Sequence, residues 1–239
     1  MRSVCMGTYN GEKFLREQLD SIIPQLRDED ELIVSDDGST DSTLEIVRSY
    51  NDSRIKIFKN ERHGVARNFE NATRHASGDI LFFADQDDVW LPGKLDKMEA
   101  FLKEGGYDVI LCNCALTDGE LNITKERHYD SHWPMRKSFL KNLVNNCWLG
   151  ACMAFTRELR DACDPYPPNV VAHDLWISLF AQLHFRCGYQ DEVLQLYRRH
   201  ENTVSFTGKK STNSLYFRLS YRAYLAWHLF IRSLKFRRP

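Results

Sequence analysis

The 239-residue chain predicts an α/β fold: a mostly parallel central sheet flanked by helices, with a C-terminal helical tail. Three observations lead there. Up to Thr117, short apolar runs alternate with segments of helical spacing. That alternation implies crossover helices covering both faces of a largely parallel sheet. Three acidic or polar clusters also fall just after apolar runs, at the strand ends where ligands of such sheets gather. The composition agrees: 43% hydrophobic and 12% aromatic residues, with Gly 12 and Pro 7, exclude a disordered, collagenous or low-complexity chain.

The elements follow in order. Val4–Met6, Leu32–Ser35, Ile55–Phe58, Ile80–Ala84 and Val109–Cys114 read as strands. Phe14–Ile23, Leu44–Tyr50, Val65–Ala76 and Lys94–Leu102 read as the helices between them. Ser42 followed by Glu45 fits a capping box. Gly78 and Gly105–Gly106 suit helix stops. Beyond Thr117 the alternation loosens. A polar stretch to Arg136 precedes a helix at Lys137–Val144 and an apolar segment, Trp148–Phe155. Tyr166-Pro167-Pro168 forces a turn, a helix runs from Asp174 to Leu183, and Val193–Tyr197 returns as a strand. Ser214–Phe236 reads as a terminal helix. With no repeat and no linker, the chain divides at most into a body, 1–207, and a basic aromatic tail, 208–239. Within the body, 1–117 forms one half and 118–207 a second.

The formal net charge of −1 names no partner, but its distribution does. All 33 acidic residues lie at or before Glu201, against 24 basic ones, so residues 1–201 carry −9 and the rest +8. In the tail, Tyr216, Phe217, Tyr221, Tyr224, Trp227 and Phe230 interleave with arginines. Such a pattern suits peripheral contact with an anionic membrane surface; the alternative is a helix packed on its own acidic body. The seven cysteines form no CxxC pair and read as buried free thiols of a reducing compartment. With no signal-like N-terminal segment and an apolar stretch of only Ala223–Ile231, the expected location is cytoplasmic.

The clusters are Gly7-Thr8-Tyr9-Asn10-Gly11-Glu12, Ser35-Asp36-Asp37-Gly38-Ser39-Thr40-Asp41 and Asp85-Gln86-Asp87-Asp88. Each alone could be a turn. Together they set at least five carboxylates at one sheet edge, where repulsion must be offset by a cation or by hydrogen-bond donors. A hard divalent metal with a phosphorylated ligand in its shell accounts for them best.

This ordered set, with Gly64-Val65-Ala66-Arg67-Asn68 and Gly78-Asp79, resembles the nucleotide-sugar half of family 2 glycosyltransferases, which have the GT-A fold. The resemblance spans about residues 3–200 and implies roles position by position. Tyr9 would stack on or line the base pocket beside Thr8 and Asn10. Asp37 would take the base or ribose, Arg67 and Asn68 would help close the nucleotide pocket, and Asp85, next to Gln86, would hold the ribose or donor sugar. Asp87 would coordinate Mn2+ or Mg2+ at the diphosphate, with Asp88 orienting it. His173-Asp174-Leu175-Trp176 and Tyr197-Arg198-Arg199-His200-Glu201-Asn202 resemble the bacterial rhamnosyltransferase and polysaccharide-building subgroup, in which the Asp of the His-Asp pair is the catalytic base. For Asp174 the alternative is a helix N-cap. No QxxRW is present; Arg198-Arg199-His200 stands near its place, where Arg198 and His200 could bind diphosphate. Trp148 and Gly150 either wall the acceptor site or pack in the core, and Trp90 packs.

The resemblance therefore implies a metal-dependent, inverting transferase. It would move a hexose or deoxyhexose from a UDP- or dTDP-sugar to a glycan, lipid-linked or glycoprotein acceptor. Two rivals remain at this point. Asp85-x-Asp87 after an apolar strand also resembles the first motif of haloacid-dehalogenase-type phosphatases, although three strands precede it here. A binding module that kept the nucleotide pocket is the other. His128 and His132, four apart, lack a third ligand for zinc. Dinucleotide binding lacks GxGxxG, and nucleic acid has only the basic tail to recommend it.

Overall fold

The computed structural model describes residues 1–132, 134–135, 138–201 and 214–236. Its first half alternates β1 (Arg2–Thr8), α1 (Leu15–Ile22), β2 (Glu31–Asp36), α2 (Thr43–Ser49), β3 (Ile55–Lys59), α3 (Val65–His75) and β4 (Ile80–Asp85). The two-residue β5 (Val89–Trp90) leads into α4 (Lys94–Gly105), β6 (Val109–Thr117) and β7 (Ile123–Lys125). The remainder is α5 (Phe139–Val144), β8 (Met153–Thr156), α6 (Arg157–Cys163), α7 (His173–His184), β9 (Cys187–Arg198) and α8 (Leu215–Lys235).

One sheet runs through both halves in the order β3-β2-β1-β4-β8-β6-β9-β5, with β7 on β6. β3, β2, β1 and β4 are parallel neighbours, as the alternation requires. The second half is mixed: β8 runs antiparallel between β4 and β6, while β9 runs parallel to β6. The central strands are buried almost throughout because α1 and α3 turn apolar faces inward, Leu15, Leu19 and Ile22 from one and Ala66, Phe69 and Ala72 from the other.

Register places the chemistry. Gly7 pairs with both Ser35 and Asp85, and Thr8 pairs with Asp36, so β1, β2 and β4 end level. Their three polar loops therefore open on one edge. β9 pairs its Leu196 with Val89, which carries Arg198 and His200 alongside the Asp85–Asp88 loop.

Several local expectations change. Ser42 makes no side-chain cap; Asp41 takes the Thr43 N–H (3.0 Å), and Glu12 takes the Ser42 N–H (2.9 Å). α3 closes at Ala76, and Gly78 is required instead by close approach, since a Cβ there would lie 2.6 Å from the Ser3 nitrogen. The segment 148–155 is a short 3-10 turn, Gly150–Cys152, followed by β8. The loop carrying His128 and His132 is not helical. Lys137, Asn202, the division at 207, Lys209, Lys210, Arg237 and Arg238 lie outside the described residues. All seven cysteines are free thiols, and six of them are buried.

Candidate active site

The first two loops are held together by their own side chains. Asp36, 3% exposed, accepts from Thr8 Oγ1 (2.9 Å), Ser39 N (2.8 Å), Ser39 Oγ (2.6 Å) and Gly38 N (3.1 Å). It is a loop-organising carboxylate. Asn10, at a left-handed φ of 45°, accepts from Thr40 N at 2.8 Å. Asp37 draws in the neighbouring loop, accepting from Asn60 Nδ2 (2.7 Å) and Gly64 N (2.8 Å). Tyr9 stands 56% exposed at the rim, where an aromatic face can meet a ligand ring.

Gln86 joins the first loop to the third. Its Oε1 accepts from Tyr9 N (2.9 Å) and its Nε2 donates to Tyr9 O (3.0 Å). Gly11 leaves the room this requires, because a Cβ there would collide with the Gln86 amide.

The third loop concentrates charge. Burial, then the charges of Asp87 and Asp174, push Asp85 up to about 7. Burial, with Asp87 and Asp85 next, likewise holds Asp88 well above the carboxylate range. Asp88 accepts from Gln195 Nε2 (2.8 Å) and Arg198 N (2.9 Å). Behind it lies Lys94, fully buried, donating to Ala151 O (2.9 Å) and to Gln195 Oε1, with its ammonium 4.1 Å from the Trp90 ring centroid. Sequence reading missed this cation, because a lysine opening an amphipathic helix carries no local sign of burial. Lys94→Met is expected to lower stability by about 2–4 kcal/mol in urea denaturation, since it leaves Gln195 Oε1 and Ala151 O without their donor and Asp88 without a nearby positive charge.

Asp87, by contrast, keeps its carboxylate at the cleft. Its Oδ2 lies 2.8 Å from His200 Nε2, a pairing that joins two loops 113 residues apart. Arg198 proves to be a buttress rather than a diphosphate ligand. Only 2% exposed, it donates to Asp87 O (2.8 Å), Gly119 O (2.5 Å) and Glu17, and lies over Phe14. Arg67 is likewise engaged away from a nucleotide: it clamps the carbonyls of Pro167 (2.6 Å) and Pro168 (2.5 Å) and pairs with Glu70. Asn68 remains at the site, donating to Thr8 O (3.0 Å), while its Oδ1 has no partner among the described residues.

The second half contributes the head of α7. The N-cap is Ala172, which places Asp174 inside the first turn and removes the capping alternative. Its Oδ1 accepts from Leu175 N at 2.7 Å, and burial pushes it up to about 6. His173 stacks on Phe69 (3.8 Å between centroids) and meets Phe83 edge-on. Burial lowers it to about 3, so the ring is neutral, and neither nitrogen has a partner among the described residues. Gly150 makes this fit possible, because a Cβ there would lie 2.6 Å from His173 Nε2 and 3.3 Å from Asp174 Cβ. Gly150→Ala should therefore displace Asp174 and cut kcat roughly 10–100-fold with little change in donor affinity, read by steady-state kinetics. Trp148 is 3% exposed and walls a small cavity of about 130 Å³ with Gln182, Phe185 and Tyr189; Trp90 is buried, as expected.

The site thus holds two carboxylates that burial raises toward neutrality (Asp85 and Asp174), one paired with an imidazole (Asp87), and an exposed aromatic at the rim. Among the described residues, no three metal-type side chains cluster.

The family model "Glycosyl transferase family 2" matches residues 3–162. The chain belongs to that family and is a glycosyltransferase. It is 27% identical over 210 residues to the UDP-Glc:alpha-D-GlcNAc-diphosphoundecaprenol beta-1,3-glucosyltransferase WfgD of Escherichia coli, covering 85% of this chain and 79% of the relative. It is 28% identical over 235 residues to the GalNAc(5)-diNAcBac-PP-undecaprenol beta-1,3-glucosyltransferase of Campylobacter jejuni, covering 94% and 71%. Among solved structures it resembles S. aureus TarS 1–349 in complex with UDP-GlcNAc: TM-score 0.70, 22% identity, 94% of this chain and 66% of that 1–349 chain. That likeness shows the GT-A fold. The phosphatase and pure binding-module readings fall with the family assignment.

Proposed function

We propose that the protein transfers a hexose or deoxyhexose from a UDP- or dTDP-sugar, with inversion, to a hydroxyl of a lipid-linked or other glycan acceptor in bacterial polysaccharide assembly. The observation that carries this reading is the convergence of Asp85, Asp87 and Asp174 on one sheet edge, close enough that the charges of Asp87 and Asp174 both raise Asp85. The names of two relatives, glucosyltransferases whose acceptors are sugars on undecaprenol diphosphate, suggest the acceptor class.

Tyr9 would line the base pocket, with Thr8, Asn10, Asp37 and Asn68 shaping it through the bonds above and Asp85 meeting the ribose or sugar. A divalent cation fits beside Asp87 and His200, a carboxylate oxygen and an imidazole nitrogen that face each other across 2.8 Å. This mixed set favours Mn2+ over Mg2+, and the diphosphate and water would complete the shell. When bound, the cation offsets charge developing on the leaving nucleoside diphosphate. Asp174 accepts the proton of the acceptor hydroxyl as that oxygen attacks the anomeric carbon opposite the leaving group. Its value of about 6 keeps it ionised at neutral pH yet basic enough to serve. The neutral His173 ring and Gly150 hold that carboxylate in place.

A thermal-shift panel of UDP-, dTDP- and GDP-sugars, each with and without Mn2+, tests the donor site. Stabilisation by uridine or deoxythymidine sugars that requires Mn2+ is the expected result. A response to none of them, or to GDP-sugars alone, would refute the donor reading.

A further inference from the structure

α8 covers the second half with one face only. Leu225 and Leu229 are buried, and the Tyr224 and Tyr221 hydroxyls accept from Asn169 N and Val171 N, both at 3.1 Å. Arg222 turns inward to the carbonyls of Leu143 and Val144, and Arg232 to those of Ala162, Asp164 and Pro165.

The opposite face is apolar and open. At about 100° per residue, Tyr216, Leu219, Trp227, Phe230 and Leu234 fall on one arc of about 80°, with Ala223 among them and Ala226 at its edge. Tyr216 is 83% exposed, Trp227 60% and Leu234 67%. None of the helix's four charged residues, Arg218, Arg222, Arg232 and Lys235, falls on that arc. A stripe running the length of a 21-residue helix exceeds the scattered apolar exposure of ordinary surfaces. No described helix is long and apolar enough to cross a membrane.

We propose that this face of α8 docks in the headgroup region of an anionic bilayer, lying parallel to its surface. Charge selects that occupant. The C-terminal 38 residues carry +8 with no acidic residue, whereas residues 1–201 carry −9. α8 itself holds four of those cations, Arg218, Arg222, Arg232 and Lys235, and no acidic residue, so an anionic surface would attract the helix and repel the body. A second copy would instead bring two +8 tails together. Tyr and Trp on the outward arc suit the apolar–aqueous boundary. The inference deepens the proposed acceptor class and rests on that reading for its purpose, but not for its geometry. Asn169 and Val171, held by α8, lead directly into His173 and Asp174, so docking would anchor the base-bearing segment next to lipid-linked acceptors.

The test is co-sedimentation of the full chain with phosphatidylcholine vesicles, with and without phosphatidylglycerol, at low and high salt. The same assay is run on Trp227→Glu/Phe230→Glu, whose exposed positions leave the core untouched. Binding that requires phosphatidylglycerol, weakens with salt and drops about tenfold or more in the variant is expected. No binding to anionic vesicles at low salt, or equal binding by the variant, would overturn the proposal. So would a dimer in light scattering that the variant converts to monomer, which would assign the face to a second copy. The donor panel on both proteins separates this from the transferase reading: a failed panel with intact vesicle binding refutes only the donor site.

Discussion

Asp174→Asn is expected to reduce transfer by about 10²–10⁴-fold while leaving donor binding within a few-fold. The amide keeps the size of the side chain and its acceptor for Leu175 N, but cannot take a proton. In the wild type, kcat/KM should fall as pH drops through about 6, because burial raises the carboxyl to that value and the protonated form cannot act as base. The stability effect has the opposite sign. A carboxyl raised when folded favours the fold at pH below its unfolded value near 4, and that contribution is lost as pH rises through about 6. At neutral pH the ionised group costs of order 1–2 kcal/mol once its partial exposure is counted. The Asn variant should therefore melt at the same or a slightly higher temperature at pH 7.5, with the gain vanishing near pH 4. Normal transfer by the variant would remove Asp174 from the base role, and a collapse in Tm would assign it a structural one.

Asp87→Ala is expected to abolish Mn2+-dependent stabilisation by nucleotide sugars and to lower kcat/KM by about 10³-fold. The fold should persist, because Arg198 bonds the backbone carbonyl of Asp87 rather than its side chain. His200→Ala separates two explanations of the pairing at 2.8 Å. If the imidazole is a ligand, Mn2+ affinity measured by paramagnetic resonance falls at least tenfold. If it merely orients Asp87, His200→Asn restores most of that affinity.

The first half of the fold was legible because its signals are local: each of β1 to β4 is an apolar run, and each functional loop follows one directly. What was hidden depends on tertiary partners. Arg67 and Arg198 look like anion binders by charge, yet the turn at Pro167–Pro168 and the carbonyls of Asp87 and Gly119 claim them. β5 has two residues, too few for periodicity, and exists because β9 pairs with it. The capping box failed because Glu12, from the first loop, takes the Ser42 amide that Glu45 would have reached back to. Nothing near Gly150 in the chain announces that it lies beneath a histidine 23 residues later.

The two-way amide zipper between Gln86 and Tyr9 bears on how donor preference can change. It locks the β1 loop to the β4 loop, with Gly11 clearing the space between them. The two loops thus behave mechanically as one unit. Because Gln86 bonds only the backbone of position 9, a graft into residues 7–12 keeps the zipper as long as glycine stays at position 11, whereas any side chain there would collide with the Gln86 amide.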